Sequence, residues 1–418
     1  MTIGLEILTQ DTCLSAPMLY HRNIQGSSSA EEYPTFLDHS MKKFLKILQD
    51  GEPLFIGEYN IQQVRKLILE MIHRFPSNDH LRPYVKHILT LMLKLLETDN
   101  EENALVCLRI INELHRHFRP TFNPEVRFSN IQHFLNFVKT IYRELPNHLS
   151  NIFEPRPNYR VADLSEINVE QILTKIYSIT PIYTDQTTTN GAAIHYNMIP
   201  RAVNSMKVLQ ELPIIVVLMY TLYKQNVHND VMEFIPLVMT TITLQPSAAH
   251  RENPLFCKEV FVDFMGAQIK TLSFLAYLNR IYKEAVAKHA TLLVKGMLGM
   301  FTLCPQEVAH LRKELLIAAR HILATDLRTK FVPFMDRLFD ENILLGNGWT
   351  TNESLRPLAY STLADLMHHA RQLLPMSDLT KAIHLFSRNV HDESLPTRIN
   401  SLQVAGCYLA LILATVVG

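Results

Sequence analysis

The stretch LRPYVKHILTLMLKLLETDNEENALVCLRIINELHRHF, residues 81–118, contains two apolar helical patterns separated by four polar residues. The patterns cover Leu81–Glu97 and Glu102–Phe118, and Thr98–Glu101 lies between them. Short polar side chains cap a helix N-terminus, and acidic side chains are stabilising near its positive end. The stretch therefore predicts a helical hairpin.

Helices of the same kind flank this hairpin on both sides. Apolar residues recur at the three-four spacing that places them on one helix face. Burying seven such side chains yields roughly 10–20 kcal/mol gross, whereas ordering fifteen residues costs about 1.5 kcal/mol each. One helix is therefore not stable alone, and we expect stacking against neighbours. The two sets are Ile61, Val64, Leu67, Ile68, Met71, Ile72 and Phe75, and Ile131, Phe134, Leu135, Val138, Ile141, Tyr142 and Leu145.

A repeat runs through the second half of the chain. Lys270, Arg312, Arg356 and Arg398 follow one another at intervals of 42, 44 and 42 positions, each near an apolar helical run. This interval is the period of HEAT arrays, in which each unit is a pair of antiparallel helices. The predicted fold class is all-α, a solenoid of HEAT-type helical hairpins (an α-α superhelix).

Changes in composition predict the organisation of the chain. Polar, aperiodic or turn-rich segments interrupt the helical rhythm. One short helix is expected inside the insertion, at Val169–Tyr177, and Gly346–Gly348 is expected to be a loop. The predicted parts are a disordered or divergent N-terminal tail (1–32), a first HEAT block (33–153), a loop-rich insertion (154–200), a second HEAT block (201–400) and a divergent apolar C-terminal tail (401–418).

Charge and composition narrow the classes of function. Forty basic and forty acidic side chains give a net charge of zero, so the usual electrostatic reason to expect a nucleic acid or an acidic membrane as ligand is absent. Only 12 glycines in 418 residues argue against a sheet-rich enzyme with many tight turns. The cysteines are widely spaced and form no CxxC pair, which fits a reducing compartment. They are Cys13, Cys107, Cys257, Cys304 and Cys407.

No motif of catalysis or metal binding is present. HExxH and GxSxG are absent, and Gly346-Asn347-Gly348 lacks the third glycine and the preceding strand of a nucleotide loop. His115 and His117, and the neighbours His368 and His369, are interpreted as solvated or helix-end histidines. We predict no catalytic, cofactor-binding or metal-binding residue, no cofactor, no small-molecule substrate and no enzyme activity.

Two apolar stretches bear on membrane association. Leu212–Tyr223 has twelve residues, which as a helix span roughly 18 Å against the ~30 Å of a bilayer core, so a buried helix is predicted. Leu402–Val417 has sixteen residues without a charge, the short limit for a membrane span. A tail-anchored membrane protein is therefore kept as an alternative.

Blocks of the sequence closely resemble the N-terminal HEAT region of the transformation/transcription domain-associated protein (TRRAP) family, and most of all its insect Nipped-A-like members. The resemblance runs in order from about Tyr33 to Asn400. The blocks are Tyr33–His39 (YPTFLDH), Arg65–Arg74 (RKLILEMIHR), His80–Pro83 (HLRP), Leu96–Asn103 (LETDNEEN), Glu211–Tyr220 (ELPIIVVLMY), Gln268–Tyr277 (QIKTLSFLAY), His310–Ala319 (HLRKELLIAA) and Leu355–Leu366 (LRPLAYSTLADL).

This resemblance implies a nuclear, non-catalytic scaffold. Family members are very large subunits of histone acetyltransferase complexes of the SAGA and NuA4/Tip60 types, and they contact activation domains of transcription factors. They share their architecture with the phosphatidylinositol 3-kinase-related kinases. The resemblance implies protein partners of these two kinds, no direct nucleic-acid ligand and no functional residue within the matched region. The chain is much shorter than such a protein, which a fragment, a splice product or a gene-model error would each explain.

A generic HEAT adaptor of the transport or phosphatase-scaffold type is the main alternative. The same architecture can carry cargo or a catalytic subunit. Transport receptors of this kind tend to be acidic, so the balanced charge favours the acetyltransferase-complex scaffold.

Overall fold

A computed structural model describes most of the chain. The described residues are 35–57, 59–118, 124–152, 160–161, 182–185, 194–197, 199–252, 256–344, 355–370, 373–391 and 397–406. The predicted N-terminal tail 1–32, the predicted short helix Val169–Tyr177 and the predicted loop Gly346–Gly348 lie outside them. So do residues 407–418 of the predicted apolar tail.

Helices dominate the described residues, and the predicted all-α class is confirmed. The long helices are α1 (Phe36–Asp50), α2 (Asn60–Arg74), α3 (Val85–Thr98), α4 (Glu101–His117), α5 (Pro124–Ile152), α6 (Met206–Tyr223), α7 (Phe234–Thr243), α8 (Lys258–Ile281), α9 (Ala290–Leu303), α10 (Ala309–Leu323), α11 (Arg356–Ala370) and α12 (Met376–Ser387). Short helices cover His228–Met232, Ala248–Glu252, Lys283–Ala287, Met335–Phe339 and Glu341–Leu344, and 3-10 segments cover Arg82–Tyr84, Ala202–Asn204, Lys224–Val227 and Asp326–Phe334. Residues 397–406 are also helical.

A small three-stranded sheet lies within the segment predicted to be loop-rich. Its strands are β1 (Arg160–Val161), β2 (Ile182–Asp185) and β3 (Ile194–Asn197), in the order β1-β2-β3. β1 is parallel to β2, and β2 is antiparallel to β3 with Tyr183 opposite Tyr196. Strands of two to four residues are too short to show an alternating pattern, so the sequence did not predict them.

The hairpin predicted at residues 81–118 is formed by α3 and α4. Asn100 is the N-cap of α4, and its side-chain oxygen accepts a hydrogen bond of 3.0 Å from the backbone N–H of Asn103. Glu101 and Glu102 occupy the first turn, where negative charge is stabilised by the helix dipole. The polar residues between the two apolar patterns thus end one helix and begin the next.

The described residues divide into two compact units. The first comprises the described residues that fall within 1–141, 150–228 and 254–256. Within it α2 packs against α1 and α4, α3 packs against α4, and α4 packs against α6. α6 follows the segment 154–200 in sequence and still packs on a helix that precedes it. The division into HEAT blocks at 33–153 and 201–400 stays a prediction.

The second unit comprises residues 142–149, 229–253 and 257–418. α7 packs against its partner α8 and against α9, α8 packs against α10, and α10 packs against α11. The 3-10 segment Asp326–Phe334 packs against α9 and α11. The helices α7 to α10 thus each contact both their hairpin partner and the equivalent element of a neighbouring pair, which is the stacking rule of a HEAT array.

One helical stretch of the described residues, Met206–Met232, is long and apolar enough to cross a membrane by length and composition. Half of its most apolar 18-residue window is buried inside the protein. In α6 the side chains of Leu212, Ile215 and Val216 are buried. Core helices of folded domains pass the same test of length and composition, and the contacts of α6 fit that role.

The two predicted amphipathic faces have different outcomes. All seven apolar residues predicted on α5 are buried, which confirms that face. On α2 the prediction was wrong for three residues, because Ile61, Val64 and Leu67 are 65%, 47% and 38% exposed. The face that α2 buries is rotated and includes two polar residues. Its buried residues are Gln62, Arg65, Ile68, Leu69 and Ile72.

Candidate protein-interaction grooves

A buried arginine ties together the turn between α9 and α10. Arg312 lies in the first turn of α10, close to the end of α9. Its Nη1 donates to the carbonyls of Phe301 and Cys304, each at 3.3 Å. Cys304 is the C-cap of α9. A helix leaves its last carbonyls without an intrahelical partner, so Arg312 satisfies acceptors that would otherwise be buried alone.

The same arrangement occurs in two other helix pairs. Gln268 on α8 donates to the carbonyls of Thr241 and Leu244, at 2.9 and 2.8 Å, at the end of α7. Arg65 on α2 donates to the carbonyls of Leu48 and Gly51, at 3.3 and 2.9 Å, at the end of α1. In every case the acceptors are the C-cap residue and the residue three positions before it.

The position of the buried donor shows that Lys270 was assigned wrongly as a repeat position. The counterpart of Arg312 in the preceding pair is Gln268, not Lys270. Lys270 lies near the middle of α8, is 41% exposed and forms a 2.9 Å ion pair with Glu314. The repeat was found through basic residues, whereas the position requires only a buried donor, which an uncharged amide also supplies.

Arg65 also links two neighbouring helix pairs of the first unit. Its Nη2 forms a 2.5 Å ion pair with Asp99, and both side chains are fully buried. Asp99 accepts a second hydrogen bond, of 3.0 Å, from the Asn103 amide, which in turn exchanges hydrogen bonds with Gln62. These hydrogen bonds help to offset the cost of burying the two charges, although the buried Nε of Arg65 has no hydrogen-bond partner among the described residues.

The start of α6 is fastened to the turn between α3 and α4. The Glu101 carboxylate accepts from the Ser205 hydroxyl at 2.6 Å and from the Lys207 ammonium at 3.3 Å. The Glu101 backbone N–H donates to the carbonyl of Pro200 at 2.8 Å. These contacts set α6 beside α4 and leave a groove between their outer surfaces.

The α4–α6 groove has a volume of about 350 Å³. Ile214 lies at its surface with 58% of its area exposed, and Leu105 and Leu108 contribute to its apolar lining. The charges at its rim are mixed: Lys207 pairs with Glu101, Arg109 lies 3.9 Å from Glu70, and Glu211 also lines the groove. This groove can accept apolar side chains and has no strong preference for a charge.

A second groove, in the other unit, combines an apolar lining with charges of one sign. It has a volume of about 520 Å³ and runs along α9 between the loop after α7 and the end of the 3-10 segment. Its apolar residues include Val294, Leu298, Leu303 and Phe334. Its charged residues are Arg251, Lys295 and Arg337, and none of the described residues that line it is acidic. We call it the basic groove.

A third groove, of about 760 Å³, lies between Met335–Phe339 and α12. Asp336 and Asp340 line it together with Lys381 and Arg388. Lys381 forms an ion pair with Asp336, so its charges largely neutralise one another. The basic groove therefore differs from both of the others in carrying an unbalanced charge.

Among the residues that the structure describes, the histidines and cysteines considered from the sequence do not come together in a site. His115 was expected to be solvated or at a helix end; it lies in the last turn of α4 and is buried, with its Nδ1 2.9 Å from the Tyr223 hydroxyl. A helical pattern could not reveal that partner, 108 positions away. His368 and His369 are exposed at the end of α11. Burial raises the pKa of Cys304 to about 11 and that of Cys107 well above its usual range. Within the described ranges no three His, Cys, Asp or Glu side chains are close enough to hold a metal ion.

Comparisons with known proteins found a matching family model and several similar proteins. Residues 260–409 match the family model of the Tra1 HEAT repeat central region. Transcription-associated protein 1 of Drosophila melanogaster is 58% identical over 380 residues, which cover 91% of this chain and 10% of that protein. The transformation/transcription domain-associated protein of Homo sapiens is 53% identical over 389 residues, which cover 93% of this chain and 10% of that protein.

The name of a more distant relative states the complexes of which it is a subunit. The SAGA complex/NuA4 acetyltransferase complex subunit TRA1 of Saccharomyces cerevisiae is 30% identical over 401 residues, which cover 88% of this chain and 10% of that protein. The chain thus spans about one tenth of the length of the relatives it matches.

Proposed function

Because this chain belongs to the TRRAP and Tra1 family, through a HEAT-repeat segment of it, we propose that it is a non-catalytic scaffold of the nucleus. In this role it joins a histone acetyltransferase complex and contacts transcriptional activators, so that the complex is brought to chromatin. The matched family model describes the central HEAT region, which refines the N-terminal placement expected from the sequence blocks.

The identity of 58% and 53% to two transcription-associated proteins over nine tenths of the chain carries this proposal. A relative at 30% identity is named as a subunit of SAGA and NuA4. Identity of this extent over nine tenths of the chain supports a shared fold and a role of the same kind.

The physical mechanism is the binding of short segments and helix faces in grooves between stacked helices. Apolar anchors of a partner enter a groove, and charges at its rim select the partner and its orientation. The α4–α6 groove offers the exposed Ile214 and the half-buried Leu105 to such anchors. Each contact of this kind is weak, so an array binds through several of them together.

The test is recovery of defined partners from nuclei. The tagged 418-residue chain is expressed in cells and immunoprecipitated from nuclear extract, and the precipitate is probed with antibodies against acetyltransferase-complex subunits and assayed for histone acetylation. We expect both to be recovered with the chain. The variant Ile214→Glu introduces a charge into the α4–α6 groove and should lower the recovery.

The matched control is Ile317→Glu, which changes a 41% exposed isoleucine of α10 that does not line the grooves described above. It should recover the subunits as well as the unmodified chain does. If neither subunits nor acetylation activity are enriched over the tag alone, the chain is not a scaffold of such a complex and the proposal is wrong.

A further inference from the structure

The helix α2 carries an apolar seam that remains exposed to solvent. Val64 and Leu67 are exposed in the middle of this seam, and Met71 is half-buried beside them. Asn60 and Arg74, both exposed, continue it at the two ends of the helix. These five residues, which we call the α2 seam, follow one another at intervals of four, three, four and three positions. That alternation is the spacing of helices that pack side by side on one another.

The α2 seam lies on the side of α2 that faces away from α4. Lys66 pairs with Glu102 at 2.8 Å, and Glu70 lies 3.9 Å from Arg109, and both of these partners belong to α4. At about 100° per residue, the seam is centred about 110° around the helix from Lys66 and Glu70. The contacts with α4 therefore leave the seam uncovered.

The packing of α4 shows what is missing at this seam. α4 packs against α2 on one side and against α6 on the other, whereas α2 packs against α1 and α4. The outermost helices of a stacked array normally carry a polar outer face, because an exposed apolar face favours association. The α2 seam departs from this rule, and the exposed Ile61 beside Val64 extends its apolar area. The position and the spacing of the seam both fit a further helix.

We propose that the α2 seam is a self-association surface, on which α2 of a second copy of this chain packs antiparallel. With a two-fold axis at Leu67, the Leu67 side chains of the two copies meet. Val64 of each copy then lies opposite Met71 of the other, and Asn60 lies opposite Arg74. Apolar side chains thus face apolar ones, and the Asn60 amide oxygen accepts a hydrogen bond from the Arg74 guanidinium. Such a self-complementary surface is what a two-fold interface requires.

Charge favours a second copy as the occupant of the seam. Arg74 is the one cation among the five seam residues. In the antiparallel arrangement the two Arg74 side chains lie at opposite ends of helices about 22 Å long, which exceeds the screening length of roughly 8 Å at physiological salt. The two copies therefore do not repel one another at the seam. A strongly charged segment of another protein would find no row of opposite charges there.

The size of the seam sets the strength that we expect. A helix face about 22 Å long and about 10 Å wide is small beside the roughly 800 Å² that each partner buries in a standard protein interface. Interfaces below the standard size are weak and transient. The dimer should therefore be reversible and dissociate at micromolar concentrations. This inference is independent of the acetyltransferase-complex role, because it uses neither the α4–α6 groove nor the basic groove.

Sedimentation velocity of the full chain from about 1 to 100 µM, the range of weak interfaces, tests the proposal. The mean mass should rise with concentration from 48.2 kDa toward twice that value. Leu67→Glu places two carboxylates face to face at the axis and removes apolar area, so it should weaken association at least about tenfold. The matched control Ile317→Glu makes the same change at an exposed isoleucine of α10 and should associate as the unmodified chain does.

A charge-exchange pair tests the two-fold arrangement itself. Leu67→Glu and Leu67→Lys should each be monomeric alone, because like charges then meet at the axis. An equimolar mixture of the two should associate, since a carboxylate then faces an ammonium. Leu67 is exposed, so both variants should keep the fold, and circular dichroism melts verify this.

The outcomes are distinct. A mass that stays at 48.2 kDa over the whole concentration range overturns the proposal and leaves the seam to another part of this chain or to a different protein. Association that is unchanged in Leu67→Glu also overturns it, as does a mixture that associates no better than its two components. If the chain dimerises through the seam and recovers no acetyltransferase subunits, the proposed function fails and this inference stands.

Discussion

At the scale of single residues, buried polar side chains define how the helix pairs turn. Arg65, Gln268 and Arg312 each reach from the second helix of a pair to the last carbonyls of the first. A carbonyl buried without a partner costs about 1–3 kcal/mol, so one side chain that satisfies two of them fixes the angle at which the chain reverses. These residues are structural, and they hold the outward faces in place.

His115 gives the protein a pH-dependent stability. Burial lowers its pKa from 6.5 to about 4. Between these two pH values the unfolded chain binds more protons than the folded chain. With respect to this titration, the free energy of unfolding is therefore highest above pH 6.5 and falls as the pH drops toward 4. From pH 7 to pH 5 the loss due to His115 is about 2 kcal/mol.

The variant His115→Gln removes this titration and retains a hydrogen-bonding partner for Tyr223. Urea denaturation followed by circular dichroism at pH 7 and pH 5 should show a smaller loss of stability for the variant than for the unmodified chain. Equal losses in both proteins would mean that His115 is protonated in the folded state, against the burial described above.

The sequence predicted the residues of the apolar core better than it predicted the buried polar ones. Periodicity identified the buried face of α5 because only apolar area decides that face. It could not identify Gln62 and Arg65 as the buried side of α2, because their burial depends on Asn103 and Asp99 in the next helix pair. For the same reason Lys270 was taken for a repeat position that Gln268 occupies.

At the scale of elements, the contact between α7 and α9 depends on a glycine. A Cβ atom at Gly296 would lie 2.9 Å from the Ile242 carbonyl oxygen and 2.9 Å from Ile242 Cγ1. That oxygen belongs to the backbone of α7 and moves only if the helix moves. At Gly299, one turn further, the added Cβ would meet only the side chain of Gln245, which can rotate away.

These two glycines provide a matched pair of variants. Gly296→Ala should lower the free energy of unfolding by about 1–3 kcal/mol through overpacking, partly offset by the roughly 1 kcal/mol gained in helix propensity. Gly299→Ala has the same gain and little strain, so it should be neutral or stabilising by up to about 1 kcal/mol. Thermal and chemical denaturation of both variants would measure the difference, and equal effects would show that α7 and α9 can separate freely.

The boundaries of α3 and α4 could be predicted from the local sequence, whereas the candidate grooves could not. The polar residues Thr98–Glu101 predicted where α3 ends and α4 begins, to within a few residues. The basic groove is formed by α9 with residues of the loop and short helix after α7, of the 3-10 segment and of the short helix Met335–Phe339. Arg251 and Arg337 are therefore 86 positions apart in the sequence. No local pattern marks such a site, because its charge balance is a property of stacked elements.

At the scale of the whole molecule, the energetics follow from the stacking. Within each of the two compact units, helix pairs contact their neighbours, so the stability of each unit is approximately a sum of its pairs and of the interfaces between adjacent pairs. A local defect should therefore spread only as far as the neighbouring pair. This property suits a scaffold, because one binding surface can change without disturbing another.

Arg65→Leu tests this expectation. It removes the cation from a buried ion pair and leaves Asp99 without its charged partner, which typically costs about 3–5 kcal/mol. Hydrogen exchange measured by mass spectrometry should show faster exchange in α1 to α4, while the amides of α9 and α10 in the other unit keep their protection. The control Lys270→Leu breaks an exposed ion pair with Glu314 and should cost less than about 1 kcal/mol. Faster exchange throughout the chain in Arg65→Leu would show that the protein unfolds as one cooperative body, which would contradict additive stability and also the independence of the grooves that the scaffold function uses.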